Sequence, residues 1–261
     1  IDGFSVGLEY YPYDDGFAKL DAFVVDNNIT YNNSKASMRL DIPNANNPEG
    51  WTYAGAAFQD INGGRNLTDY DALVFYAKTS QVATVNSIGF GQDGIGNYFE
   101  VELERLKLTT VWQEVAIPIP NPDKLTESRG LFWFTELPEF GNGYSIWIDS
   151  LRYERLGTFA QPRAEIFEGA TETITSYSGI TATVTGASVI LNQANGTDIT
   201  LQIGPGYFDY ISSDPNTATV DENGVVTLRN AGTATITAEL DGTPATGSLV
   251  VTSLGEYVPA P

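Results

Sequence analysis

The chain has 261 residues, 33 acidic against 13 basic side chains, and a formal charge of −20. It contains no histidine and no cysteine, which excludes Ser–His–Asp and Cys–His nucleophiles, imidazole or thiolate zinc sites, and disulfides. A pI near 4.1 argues against nucleic acid and anionic membrane as partners, since both require clustered Lys and Arg, and leaves neutral ligands and bound cations.

A hydrophobic fraction of 42% with 12% aromatics supplies a packed core despite the acidity. No apolar run approaches the roughly 20 residues that span a bilayer, so no direct membrane insertion is expected in this segment. Ile1 does not open a signal peptide, and the chain is expected to be a trimmed piece of an exported protein. In chain order, short runs of β-branched and aromatic residues bounded by Gly, Pro, Asn or Asp predict strands at 72–77, 85–90, 98–103, 112–119, 131–134 and 144–151. Residues 105–111 have room for a helical turn, but Thr109, Thr110 and Val111 favour strand. About ten such strands in the first part predict a two-sheet sandwich or jelly roll with an outer face free for a ligand.

Composition changes near residue 157. All four tryptophans, Trp51, Trp112, Trp133 and Trp147, precede it, and residues 1–157 carry 22 acids and 11 bases against 11 and 2 afterwards. Residues 154–163, with Gly157 and Pro162, read as a linker. Beyond it, Asn223-Gly224 between two alternating runs predicts a hairpin, and Ala231-Gly232-Thr233 the next turn. The expected fold class is all-β: a β-sandwich jelly roll over 1–157, a smaller Ig-like β-sandwich over 158–252, and a linker tail over 253–261.

The segment Ile211–Thr227, continued by Ala231–Ala238, resembles group-two bacterial immunoglobulin-like domains: a serine pair, an Ala218-Thr219-Val220-Asp221 to Gly224-Val225-Val226-Thr227 hairpin, then Ala231-Gly232-Thr233-Ala234-Thr235-Ile236. Trp51–Gly55, Leu67–Lys78, Trp112–Pro120 and Tyr144–Leu151 in series resemble jelly-roll carbohydrate-binding modules of families four, eleven and twenty-two. The pairing resembles bacterial surface glycan-binding lipoproteins and some glucanases. The resemblance implies a neutral polysaccharide or oligosaccharide ligand, often a β-glucan such as laminarin, and no catalysis. It also implies an extracellular or cell-surface location with a lipid anchor outside this chain, and further domains of the same chain are a natural extension.

Aromatic side chains bind sugars by covering their C–H faces while carboxylates and amides orient the hydroxyls. The candidates are Trp51, Tyr53, Gln92, Asp93, Tyr98, Trp133 and Trp147. Trp112 is expected in the core, Trp147 is expected outward because Ile146 and Ile148 share the other strand face, and alternation leaves Trp133 open against Phe132 and Phe134. Tyr10, Tyr11 and Tyr13 either line the groove or cover an edge. In related modules a structural calcium is held by a last-strand aspartate and early acids, which implies Asp149 with Asp21 and Asp26. Glu100, Glu102 and Glu104 share one strand face. They depart from the "ExDxxE" strand of jelly-roll glucanases and read as a solvated face, although a glucanase remains a rival reading. An adhesion protein that binds another protein is the second rival. Gly89–Gly94 matches GxGxxG but is followed by turn and strand rather than helix, so it is no dinucleotide site. The sequons at Asn28, Asn66 and Asn195 are matches by pattern only.

Overall fold

Strands dominate because β-branched and aromatic residues recur at alternate positions between turn residues. The computed structural model describes residues 6–259; Ile1 to Ser5, and Ala260 and Pro261 of the expected tail, lie outside the described residues. The chain divides into two units, Ile1–Gly157 and Thr158–Pro261. Helix among the described residues is limited to the 3-10 turns Pro122–Lys124, Phe167–Gly169 and Pro205–Tyr207.

The first unit contains β1 (Leu8–Pro12), β2 (Phe23–Asp26), β3 (Ser37–Asp41), β4 (Ala54–Asp60), β5 (Ala72–Thr79), β6 (Ala83–Phe90), β7 (Val101–Leu108), β8 (Gln113–Pro118), β9 (Gly130–Glu136) and β10 (Ser145–Glu154). One antiparallel sheet runs β1-β4-β9-β6-β7 and the other β2-β3-β10-β5-β8. This is a jelly-roll sandwich. The run expected from 98 begins only at Val101, because Gly96 (φ 116°) and Asn97 (φ 53°) occupy left-handed turn conformations.

Between the sheets lies an aromatic core. The Phe58 ring sits 5.2–5.7 Å from those of Tyr10, Phe23 and Phe132, and Phe132 lies 6.2 Å from Phe75. Such tilted and edge-on pairs add to the gain from burial. Toward one edge of the sandwich a cavity of about 370 Å³ opens among Leu8, Tyr10, Phe23, Val25, Met38 and Ile148.

The second unit pairs Thr171–Ser176, Ser248–Ser253, Gly232–Leu240 and Asp209–Ser212 side by side, and Thr181–Thr183, Val225–Leu228 and Ala218–Val220 in a second sheet. Val226, Leu228, Ile236 and Val251 fill the space between. Ala160–Glu165 is a strand with a register shift across Gln161 and Pro162, so the linker expected over 154–163 narrows to 155–159. The tail is partly docked: Leu254 N donates to Ser176 O, and the Tyr257 ring meets Tyr177 edge-on at 5.0 Å.

One buried acid in the first unit is exceptional. Glu136 at the end of β9 is 1% exposed, accepting from Tyr144 Oη at 2.8 Å and Asn86 N at 2.5 Å. Burial pushes its carboxyl up to about 7. The folded state therefore holds a proton that the unfolded chain releases near 4.5, and this contribution to stability is present below that value and lost as pH rises through 7. Urea melts are expected to show stability falling by about 3 kcal/mol between pH 4.5 and 7.5, and Glu136→Gln should flatten that slope.

Candidate functional site

Strand alternation sends Phe58, Phe132, Phe134, Ile88 and Phe90 between the sheets and turns their neighbours to the outer face of the β1-β4-β9-β6-β7 sheet. One cross-strand row on that face reads Tyr11, Ala57, Trp133, Gly89, Glu102. The next reads Tyr13, Gly55, Thr135, Ser87, Glu104. Tyrosines therefore stand at one margin and glutamates at the other, with Trp133 and small residues between. Tyr11 is 42% exposed.

Gly55 is required by what lies over it. A Cβ there would fall 2.6 Å from the Tyr13 ring and 3.1 Å from the Tyr53 ring, so the two rings rest on bare backbone. Tyr53 Oη donates to Asp15 Oδ2 at 2.6 Å, and this bond holds the Asp15 carboxyl below the usual carboxylate range. Burial first, and for Tyr53 the Asp15 bond next, pushes both phenols up to about 12, so both remain donors at neutral pH.

A polar strap crosses the face. Tyr13 Oη donates to Gln92 Oε1, and Gln92 Nε2 donates to Glu100 Oε1 at 2.7 Å. The Gln92 backbone is pinned by Gln59 Nε2 at 3.1 Å and by close approach to Gly130, where a Cβ would lie 2.3 Å from Gln92 O. Desolvation raises the Glu100 carboxyl.

The expected site residues divide sharply. Tyr53 and Gln92 belong to this face, Trp51 stands half-buried two residues before Tyr53 with Lys19 Nζ 5.3 Å from its ring, and Tyr98 is half-buried at the start of the turn before Glu100. Asp93 serves its own loop, its Oδ1 accepting from Ile95 N at 2.8 Å. Trp133 does take the outer face, but as floor rather than platform: it is 3% exposed, its Nε1 lies against Gly89 and donates to Phe90 O at 3.2 Å. Trp147 also points outward, but from the opposite sheet, and it is only 8% exposed because Nε1 is bound to Asp26 Oδ2 at 2.9 Å and Lys78 covers the ring. Trp112, expected in the core, is instead half-buried on that same opposite face, since the core side of β8 is taken by Val115 and Ile117. Of the early tyrosines, Tyr11 and Tyr13 stand on this outer face and Tyr10 packs inside.

The acids expected to hold calcium have other partners. Asp26 accepts from Asn28 N, Ile29 N and Trp147 Nε1 and pairs with Arg39; the indole bond first, then these amides, depress its carboxyl to about 2. Asp149 Oδ2 accepts from Tyr31 N at 2.8 Å and Ser34 Oγ at 2.6 Å, and Asp21 pairs with Lys19 in solvent. At Asp26 and Asp149 donor hydrogens occupy lone pairs that a hard cation needs, and no group of three acids suited to a metal occurs among the described residues. A calcium held by Asp21, Asp26 and Asp149 does not fit.

A model of carbohydrate binding domain 30 matches residues 9–154. The chain belongs to this family. A model of the intimin immunoglobulin-like domain matches residues 199–243 of the family 30 protein, after the binding domain. Among solved structures it is similar to a family 30 module of a cellulosomal cellulase of Clostridium thermocellum, at 18% identity, 56% of this chain, 91% of that chain and TM-score 0.40. It is also similar to a family 11 module of Clostridium thermocellum in complex with a β-1,3-1,4-mixed-linked tetrasaccharide, at 10%, 57%, 89% and 0.37. A β-1,2-glucanase from Parabacteroides distasonis is a third, at 9%, 97% of this chain, 37% of that chain and 0.35. No curated protein matches.

Two outcomes follow for the family 30 module. Gly55→Ala should displace the Tyr13 and Tyr53 rings, weaken carbohydrate binding by about tenfold or more and lower stability by about 1–3 kcal/mol, since a half-buried, hydrogen-bonded ring must yield; parallel binding and calorimetric measurements check this. Calorimetric melts in EDTA should match those without it, and a chelator-dependent drop would put a cation back.

Proposed function

We propose that the outer face of the β1-β4-β9-β6-β7 sheet binds a neutral polysaccharide, a β-glucan such as laminarin among the candidates, without cleaving it. The observation that carries this reading is the pair of tyrosine rings seated on Gly55 beside the Gln92–Glu100 strap. A pyranose offers C–H faces to such rings and hydroxyls to amides and carboxylates. Glu100, Glu102 and Glu104 line the opposite margin, and their charge repels anionic glycans. The same charges suit hydroxyl donors, which need acceptors and no counter-charge.

The non-catalytic reading rests on how these acids are engaged. Glu100 is committed to Gln92, and Glu102 and Glu104 stand opposite Gly89 and Ser87 in the sheet ladder. The Ig-like unit acts as a spacer that carries the binding face away from the surface of an exporting cell, to which an anchor outside this chain would tie it.

Affinity electrophoresis against laminarin, mixed-linkage glucan, xyloglucan and mannan tests the reading. At least one neutral glucan should retard the protein; Tyr53→Ala should lose about tenfold or more in affinity and Tyr13→Phe less, since it keeps the ring and loses only the strap. Retardation unchanged by both variants would move the site elsewhere. Release of reducing sugars on incubation would make the module an enzyme.

A further inference from the structure

The opposite sheet carries a second aromatic face. β5 Lys78 stands directly across from Trp147 of β10, which stands across from Arg39 of β3. The Lys78 ammonium lies 5.7 Å from the Trp147 ring centre and 6.0 Å from that of Trp112. Tyr31 stacks on Tyr76 at 3.8 Å and 13°, and meets Trp112 edge-on at 5.8 Å and 65°. Tyr31 is held in place through its backbone N–H, which donates to the buried Asp149 at 2.8 Å. Tyr76 and Trp147 stand on strands, and Tyr31 and Trp112 are held against them from the adjoining loops, which lowers the ordering cost for a ligand.

Charge distinguishes this face from the first. Its two arginines are spent: Arg39 pairs with Asp26 and Asp41, and Arg152 with Glu154 and Glu114. Lys78, in a chain of net charge −20, faces two indoles and, among the described residues, makes no ion pair with a carboxylate. Ring quadrupoles attract the ammonium but leave its three donors without an anionic acceptor. A neutral sugar on Trp112 would leave them so; a carboxylate on the sugar would not.

We propose that this face is a second binding surface, on which Trp112 receives a pyranose ring and Lys78 pairs with a carboxylate borne by that ring, so that its ligand is a uronic-acid-bearing glycan. The surface is independent of the neutral-glycan face: it lies on the other sheet and shares no residue with it. With one face for a neutral chain and one for an acidic chain, a single domain joins two kinds of polymer.

Calorimetric titration of the full chain with a galacturonic acid trimer, a galactose trimer and a triglutamate peptide tests this. The uronate trimer should bind, with affinity falling as NaCl is raised, and its Kd should rise about tenfold or more in Trp112→Ala and in Lys78→Gln. Lys78→Arg should retain most of it, which separates loss of charge from loss of fold. Tyr53→Ala should leave it unchanged, whatever that variant does to glucan binding. The proposal is overturned if the uronate trimer does not bind, if its binding survives both Trp112→Ala and Lys78→Gln, or if the galactose trimer binds as well. Tighter binding of triglutamate, or loss in Tyr53→Ala, overturns it equally.

Discussion

Aromatic packing between the two sheets of the first unit governs what stands on their outer faces. Phe58, Phe132 and Phe75 interlock with Tyr10 and Phe23 inside the sandwich. Because successive strand residues point to opposite faces, this commitment leaves no choice for their neighbours. Ala57, Trp133 and Gly89 must then form one row on the outside, and Gly55, Thr135 and Ser87 another. A slip of one residue in any of these strands would bury polar groups and expose rings, so core and outer face are set by the same register.

The outer face is shaped as much by missing atoms as by present ones. Gly55 makes room for two phenol rings, and Gly89 makes room first for the Val101 carbonyl, which a Cβ would meet at 1.7 Å, and then for the Trp133 indole, whose Nε1 it would approach to 3.2 Å. With Trp133 buried at 3% exposure, the rings left to the outer surface of this face are the tyrosines. The hydroxyls of Tyr53 and Tyr13 are already bonded to Asp15 and Gln92, so in the proposed site a sugar would meet oriented donors and acceptors rather than free rotors.

Buried acids do structural work on the other sheet. Asp26 gathers two loop amides, an indole N–H and a guanidinium; Asp149 fastens Tyr31 and Ser34. Each buried charge is matched by several donors, the condition under which burial of a carboxylate is tolerated. These contacts fold residues 28–34 against that face, which is why its aromatic rings are ordered.

Patterns local to the chain were readable without coordinates: the strands, the change of character near residue 157, the Asn223-Gly224 hairpin, and the inward choice of Ile146 and Ile148. Periodicity and turn chemistry express themselves within a few residues, so alternation was enough to say that Trp147 points outward. It could not say that an outward indole is also buried, because the cover comes from Lys78 on a neighbouring strand and Asp26 more than a hundred residues away. The same limit applied to Tyr13, whose partner Gln92 is 79 residues distant, and to Asp26 and Asp149, whose lone pairs are claimed by donors that no spacing rule names. Side-chain direction follows from the period of the strand, whereas exposure and hydrogen-bond partnership depend on which distant segments arrive at the same place, and that is decided only when the sheets close.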